Sequence, residues 1–362
     1  MKKIKVNLKE KSYDILIGNK LTPKFGLYIR KTLTANFAII ITTLKISKLY
    51  FLVIKKALIK AGISSNRVII PDSEKAKSIF YLNLILKNIA QSAKGKAPFV
   101  VALGGGVVGD VAGFAASIYK RGIPYIQIPT TLLAQIDSSI GGKTAIDLNY
   151  GKNLVGSFYQ PSLVLTDISF LNSLPKREIC SGLAEMIKYA LIKDAGLFSY
   201  LESNYKDILS LKPTALEKSI YRCAKIKAEI VSQDELERKG IRTILNFGHT
   251  IGHAIETVSS YRYNHGESIA LGMIAASKIA KSLNLISLKT FERILNLIRL
   301  CGLPTNVRKM EYKKIRKVIG YDKKFIGMRN RFVLPIKIGK VIIKEAIEEK
   351  YIIAAVSEIT KR

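Results

Sequence analysis

Phe99-Val-Val-Ala-Leu103-Gly104-Gly-Gly-Val-Val-Gly109-Asp110 carries the reading of the fold. An apolar run ends in consecutive glycines, and an apolar segment with helical spacing follows. A short apolar run bounded by turn residues reads as a buried strand. Glycines between strand and helix let backbone N–H groups approach a pyrophosphate, which also faces the positive end of the helix. The pattern is not a strict G-x-G-x-x-G, and a plain tight turn explains it equally. Ala97 to Tyr119 is apolar enough to imitate a membrane span, but Asp110 and the glycines favour strand, loop and helix.

Upstream, strand and helix signals alternate. Residues 3–8 and 13–17 alternate apolar and polar around Glu10-Lys11-Ser12, as a hairpin at a sheet edge does. Strands are predicted over Phe37 to Ile41 and Arg67 to Ile70, with helices over about 47–61 and 75–91. This spacing predicts a parallel, doubly wound α/β domain. Downstream of Pro175 the helical period dominates, over 176–193, 213–235, 242–259, 266–283 and 288–300. Strand signals return only at Phe332-Val-Leu and Lys340-Ile-Ile. The expected division is an α/β domain over 1–174 and a mainly helical one over 175–362.

At 362 residues, 48% of them hydrophobic, the chain can bury an ample core. Its net charge of +32 would suit a nucleic-acid binder. The lysines are scattered over every segment, however, and no aromatic-interleaved basic stripe or binding motif is visible, which argues against nucleic acid as the main partner. Cys180, Cys223 and Cys301 are widely spaced, as free thiols in a reducing compartment would be. Met1-Lys-Lys-Ile-Lys5 resembles the start of a signal peptide, but Lys9, Glu10, Lys11 and Asp14 interrupt any apolar core. The expectation is a cytoplasmic protein with no membrane partner.

All three histidines, His249, His253 and His265, fall in Asn246-Phe-Gly-His-Thr-Ile-Gly-His-Ala-Ile-Glu256 and its continuation Tyr263-Asn-His-Gly-Glu267. If 247–259 is helical, His249 and His253 share a face. Converging imidazoles with a carboxylate suit a catalytic metal site; a mere cluster of polar side chains has the same spacing. Glu185 and Lys188 lie three apart on helix 176–193, Glu185 among apolar neighbours. Asp137-Ser-Ser-Ile-Gly-Gly-Lys143-Thr144 suggests a P-loop, but that motif needs glycine where Asp137 stands. What remains is Lys143, with Lys152-Asn153 further on, near flexible backbone suited to an anion.

Four blocks together resemble the 3-dehydroquinate synthase family of sugar phosphate cyclases: Gly-Gly-Gly-Val-Val-Gly-Asp (104–110), Pro-Thr-Thr-Leu-Leu-Ala-Gln-Ile-Asp-Ser-Ser-Ile-Gly-Gly-Lys-Thr (129–144), Ser-Gly-Leu-Ala-Glu-Met-Ile-Lys-Tyr (181–189) and Leu-Asn-Phe-Gly-His-Thr-Ile-Gly-His-Ala-Ile-Glu (245–256). The resemblance implies an NAD-binding amino-terminal domain, a helical metal-binding domain and an active site in the cleft between them. By the family's pattern Glu185, His249 and His265 hold a divalent ion, zinc usually and cobalt alternatively, while His253 faces substrate. NAD lies on Gly105, Gly106, Val107 and Asp110. Asp72, Thr130, Thr131, Asp137, Lys143, Lys152, Phe170, Ser173, Leu174 and Glu178 complete that site, with Glu74 and Lys77 near the adenosine. Lys143, Lys152, Asn153, Lys188, Lys227, Arg242, Asn246, His253 and Lys323 meet the substrate, and Arg121 reaches its phosphate across a homodimer interface.

The implied reaction turns the sugar phosphate 3-deoxy-D-arabino-heptulosonate 7-phosphate into 3-dehydroquinate and phosphate, in the shikimate pathway. Its steps are transient oxidation by NAD, elimination, re-reduction and aldol closure. Sedoheptulose 7-phosphate cyclases and polyol dehydrogenases are the related alternatives. The chain departs from the family's pattern at Thr43 (usually Asp or Asn), Ser73, Ser173 and Ala190, and by one extra residue between Asp234 and Arg242.

Overall fold

The structure is a computed structural model that describes residues 1–260, 262–307, 314–316, 318 and 330–360. The chain forms two compact units, Met1–Leu174 with Leu216–Leu236, and Pro175–Ala215 with Glu237–Arg362.

In the first unit, β1 (Lys2–Val6) and β2 (Tyr13–Gly18) form an antiparallel edge hairpin. The other sheet strands are β3 (Phe37–Thr43), β4 (Ser64–Ile70), β5 (Pro98–Gly104), β6 (Tyr125–Pro129) and β9 (Leu163–Asp167). The seven-stranded order is β1-β2-β9-β6-β5-β3-β4, parallel from β2 onward. Alternate residues of a strand point to opposite faces, and β3 shows the consequence. Ile39 and Ile41 pack with Leu82, Ile85 and Ile89 of α3 (Ile79–Ser92) and with α4 (Gly106–Ile118). Ala38 and Ile40 pack on the other face with Phe25 and Ile29 of α1 (Phe25–Thr32) and Ile54 and Leu58 of α2 (Leu44–Lys60). Both faces of the sheet are therefore covered, as in a doubly wound fold.

Three features of this unit differ from the sequence reading. The segment after Gly142, read as flexible turns, is a hairpin of β7 (Lys143–Leu148) and β8 (Gly151–Phe158). The helix predicted from 75 starts at Ile79, behind a tight turn at Glu74–Ala76. Part of α7 (Pro213–Gln233), expected with the carboxy-terminal half, belongs here. Its Ser232 accepts from the Asn7 amide at 2.9 Å, and its Lys227 pairs with Asp137.

The second unit is mainly helical: α5 (Lys176–Lys193), α6 (Ala195–Leu209), α8 (His249–Val258), α9 (His265–Ser282), α10 (Leu288–Leu300) and a final helix Glu349–Thr360, beside the hairpin β10 (Arg331–Lys337) and β11 (Lys340–Glu345). The helix predicted over 242–259 is broken. A 3-10 segment covers Ile241–Asn246, Gly248 turns left-handed at φ 79°, and α8 starts at His249. α9 crosses α5 and α8 at glycines: a Cβ on Gly266 would lie 2.2 Å from the Ser181 carbonyl oxygen, and one on Gly272 1.9 Å from that of Gly248. Backbones this close leave no room for side chains between them. Among the described residues no helix is long and apolar enough to cross a membrane.

Candidate active site

The glycine crossings draw three side chains of the second unit together. Glu185, from the middle of α5, is fully buried. His249 and His265 are the first residues of α8 and α9, and each turns its Nε2 to the Glu185 carboxylate, 3.7 Å from Oε1 in both cases. One ligand atom from each of the three lies within 4.8 Å of the others. A capping box of Asn264 and Glu267 fixes the start of α9, and Arg177 clamps Glu267 at 2.6 and 2.8 Å.

Each ring is oriented from behind. The Nδ1–H of His249 donates to the Phe247 carbonyl at 3.1 Å. His265 Nδ1 faces Glu256 at 3.5 Å. Such partners fix the tautomer and leave Nε2 as the ligand atom. Burial pushes the His249 imidazolium well below its ordinary range, and the nearby charge of Lys188 adds to this. For His265 burial acts the same way, but Glu256 and Glu185 outweigh it and the pKa is raised. The buried ammonium of Lys188, from one turn further along α5, pairs with Glu185. Two imidazole nitrogens and a carboxylate oxygen, converging on one point and braced from outside, fit a divalent ion such as zinc.

His253, four residues on in α8, is exposed, with its ring centroid 5.1 Å from that of His249 and 5.9 Å from that of His265. Arg242 is buried and Asn246 half-buried in the segment leading into α8. Glu178 is exposed near the start of α5. Lys323 lies outside the described residues.

In the first unit a second polar cluster forms around Lys77, 4% exposed. Its Nζ donates to Asp110 Oδ2 at 2.7 Å and to Asn153 Oδ1. Glu74 and Asp147 stand 3.8 and 4.0 Å away, and Lys152 reaches Glu74 at 3.6 Å. Asp147 also accepts from the Asn153 amide at 2.7 Å, holding that residue at φ 55° near the start of β8. Burial lifts the Asp110 carboxyl to about 6, against the opposing charge of Lys77. Burial alone would lower the Lys77 pKa, but Asp110, Glu74 and Asp147 raise it.

Beside this cluster Gly105 and Gly106 open α4, with Val107 behind them. Thr130 and Ser138 each bury a hydroxyl with no hydrogen-bond partner among the described residues. Ser138 lies against the glycine turn, 3.1 Å from where a Cβ on Gly106 would sit. Thr130 adjoins it too, its amide donating to the Gly104 carbonyl at 2.9 Å. Bare helix-terminal amides with idle hydroxyls beside them fit a phosphate group. Thr131 caps the turn after β6, and Asp137, within a π-helical turn at Ala134–Ser138, is the partner of Lys227.

Lys143 and Asp72 are exposed, and Arg121 sits exposed at φ 63° in the turn after α4. The ring of Phe170 is buried in the core against Phe25 and Tyr50. Ser173 binds the Tyr50 hydroxyl at 2.7 Å, and Leu174 is half-buried. Sequence reasoning missed Glu256, Ser138 and Asp147; Glu256 closes the histidine block, where only its spacing from His265 could have flagged it.

The structure resembles 2-epi-5-epi-valiolone synthase of Streptomyces hygroscopicus subsp. jinggangensis 5008, solved with NAD+ and Zn2+ bound, at TM-score 0.87 and 28% identity over 97% of this chain and 98% of that one. It also resembles 2-deoxy-scyllo-inosose synthase, solved with carbaglucose-6-phosphate, NAD+ and Co2+, at TM-score 0.89 and 26% identity over 99% and 100% of the two chains. An α/β unit with a glycine turn at the start of α4, a helical Glu-His-His cluster and these neighbours place the chain in the class of sugar phosphate cyclases. Residues 67–181 match the family profile of the 3-dehydroquinate synthase N-terminal domain and 182–325 that of the C-terminal domain. A 3-dehydroquinate synthase of Thermoanaerobacter sp. (strain X514) is 45% identical over 96% of this chain and 98% of its own. The chain belongs to the 3-dehydroquinate synthase family.

Proposed function

We propose that this chain converts 3-deoxy-D-arabino-heptulosonate 7-phosphate into 3-dehydroquinate and phosphate, using NAD that is regenerated in each turnover and one divalent ion, zinc before cobalt. The observation that carries this reading is the convergence of Glu185, His249 and His265 in a chain of that family. Two imidazoles with one carboxylate is a common donor set of catalytic zinc.

Glu185, His249 and His265 would hold the ion, and Gly105, Gly106, Asp110, Thr130 and Ser138 would receive the dinucleotide. When bound, the dinucleotide supplies a reversible two-electron oxidation and the ion a Lewis acid for hydroxyl oxygens of the substrate. Lys188 and Arg242, both buried cations, orient anionic groups of the substrate. Lys143 and Lys152 add ammonium groups, and Asn153, its Oδ1 taken by Lys77, keeps its amide NH2 for a departing phosphate. His253, exposed next to the histidine pair, can carry the proton that phosphate takes. Charge placement of this kind in a preorganised site does most of the work in eliminating phosphate. The same reading places the protein in the cytoplasm as a homodimer, with Arg121 serving the partner copy.

The test is phosphate release under substoichiometric NAD. Phosphate should exceed total NAD many times over, while NADH absorbance stays near baseline. A strong chelator should stop the reaction, and zinc or cobalt should restore it. NADH accumulating one-for-one with product would instead mark a dehydrogenase, and full activity in metal-free protein would remove the metal assignment.

A further inference from the structure

A cavity of about 630 Å3 opens at the carboxyl ends of β3 and β4. Leu44, Lys45 and Lys48 of α2, Pro71 and Asp72 after β4, and Tyr81 of α3 line it. The sheet says what such a cavity would hold. Thr42 of β3 pairs with Leu103 of β5, so the end of β3 lies beside the glycine turn. A dinucleotide with its pyrophosphate on that turn places its adenosine ribose over the end of the neighbouring strand. The residue there decides between two cofactors. A carboxylate hydrogen-bonds the ribose 2′-hydroxyl, whereas a nearby cation accommodates a 2′-phosphate.

Here β3 ends in Thr43, which is buried and caps α2, its hydroxyl accepting from the Ile46 amide at 3.4 Å. No carboxylate closes the strand. Lys45 and Lys48 are exposed on the cavity wall in the first turns of α2, and neither has a carboxylate partner among the described residues. Asp72 is the single acid of the lining, set against those two ammonium groups. Tyr81, half-buried on the α3 side, offers an aromatic wall.

Resting on the dinucleotide reading above, we propose that this subsite takes a 2′-phosphorylated ribose, so that the chain binds NADP as well as NAD. Lys45 and Lys48 pair with the phosphate, and Thr43 leaves room for it without repelling it.

The experiment titrates the full chain, metal-loaded and stripped of copurified nucleotide, with NAD and with NADP by calorimetry. The NADP dissociation constant should lie within about tenfold of that for NAD. A double substitution Lys45→Ala and Lys48→Ala should weaken NADP about tenfold or more and leave NAD within about twofold, since only NADP carries the phosphate they would pair with. Thr43→Asp keeps a good helix cap and should turn preference toward NAD by about 100-fold. Wild-type protein that binds NAD but takes NADP more than about 100-fold more weakly overturns the inference alone, as does a lysine variant that weakens both dinucleotides equally. Binding of neither dinucleotide overturns the dinucleotide reading together with this one.

Discussion

The two units bury charge in opposite ways. In the first, a cation from the chain sits at the centre: Lys77, ringed by Asp110, Glu74, Asp147 and the Asn153 amide oxygen. In the second, a carboxylate sits at the centre: Glu185, faced by two imidazole nitrogens with the ammonium of Lys188 beside it. A buried charge is tolerable only when paired and hydrogen-bonded. The Lys77 cluster satisfies itself and holds the β7–β8 hairpin against α4. The Glu185 cluster points lone pairs inward from three helices, an electron-rich arrangement that a further cation completes. A closed network fixes shape, whereas an open one prepares a binding site.

The largest expected effect breaks that comparison directly. Lys77→Met and Lys188→Met each remove the ammonium from a buried ion cluster, and each should destabilise metal-free protein by about 3–5 kcal/mol. Zinc should close most of the stability gap between Lys188→Met and wild type, because a metal can replace the missing charge beside Glu185, and leave the gap of Lys77→Met unchanged, because zinc binding stabilises that variant and wild type alike. Urea unfolding with and without zinc reads this out. Equal rescue of both variants, or of neither, would show that the clusters do not differ as described.

How much of this was legible in the sequence follows from the range of the interactions. Local patterns were readable: the buried strand before Gly104, the period of 176–193 and the confinement of histidine to one block. What depended on distant pairing was not. The order β9-β6-β5-β3 is set by crossovers that no local pattern encodes. The break at Gly248 was hidden because 242–259 keeps an apolar helical period through the 3-10 segment. The return of Leu216–Leu236 to the first unit turns on contacts such as Lys227 with Asp137. The core position of the Phe170 ring was not legible either, because a family role does not say whether ring or backbone makes the contact.

A smaller effect sharpens the account of the open cluster. Glu256 faces the outer nitrogen of His265 and is absent from the family-derived ligand set. Glu256→Gln should lower zinc affinity by about 10–100-fold, the usual effect of losing an outer carboxylate. The melting temperature of metal-free protein should hold, since the residue is only part-buried. Chelator competition measures the affinity, and the absorption spectrum of the cobalt form reports the altered ligand field. Unchanged affinity together with an unchanged cobalt spectrum would show that Glu256 does not orient the ring.

The smallest effect tests the closed cluster by pH. Asp110 titrates near 6 when folded, above its ordinary 3.8, chiefly because burial disfavours its charge. The folded state therefore binds more protons than the unfolded chain between those values, so this residue's contribution to stability falls as pH rises from about 4 to about 6. Partial exposure and the pairing with Lys77 limit the change to on the order of 1 kcal/mol. Asp110→Asn cannot titrate. Carboxylates outside the cluster contribute equally to both proteins, so the difference between wild type and variant across pH 4–7 reports Asp110 and its coupling to Glu74 and Asp147. Relative to the variant, wild type should lose stability as pH rises through that window. Parallel urea midpoints would mean that Asp110 keeps an ordinary pKa, and that the Lys77 cluster is more open to water than its burial implies.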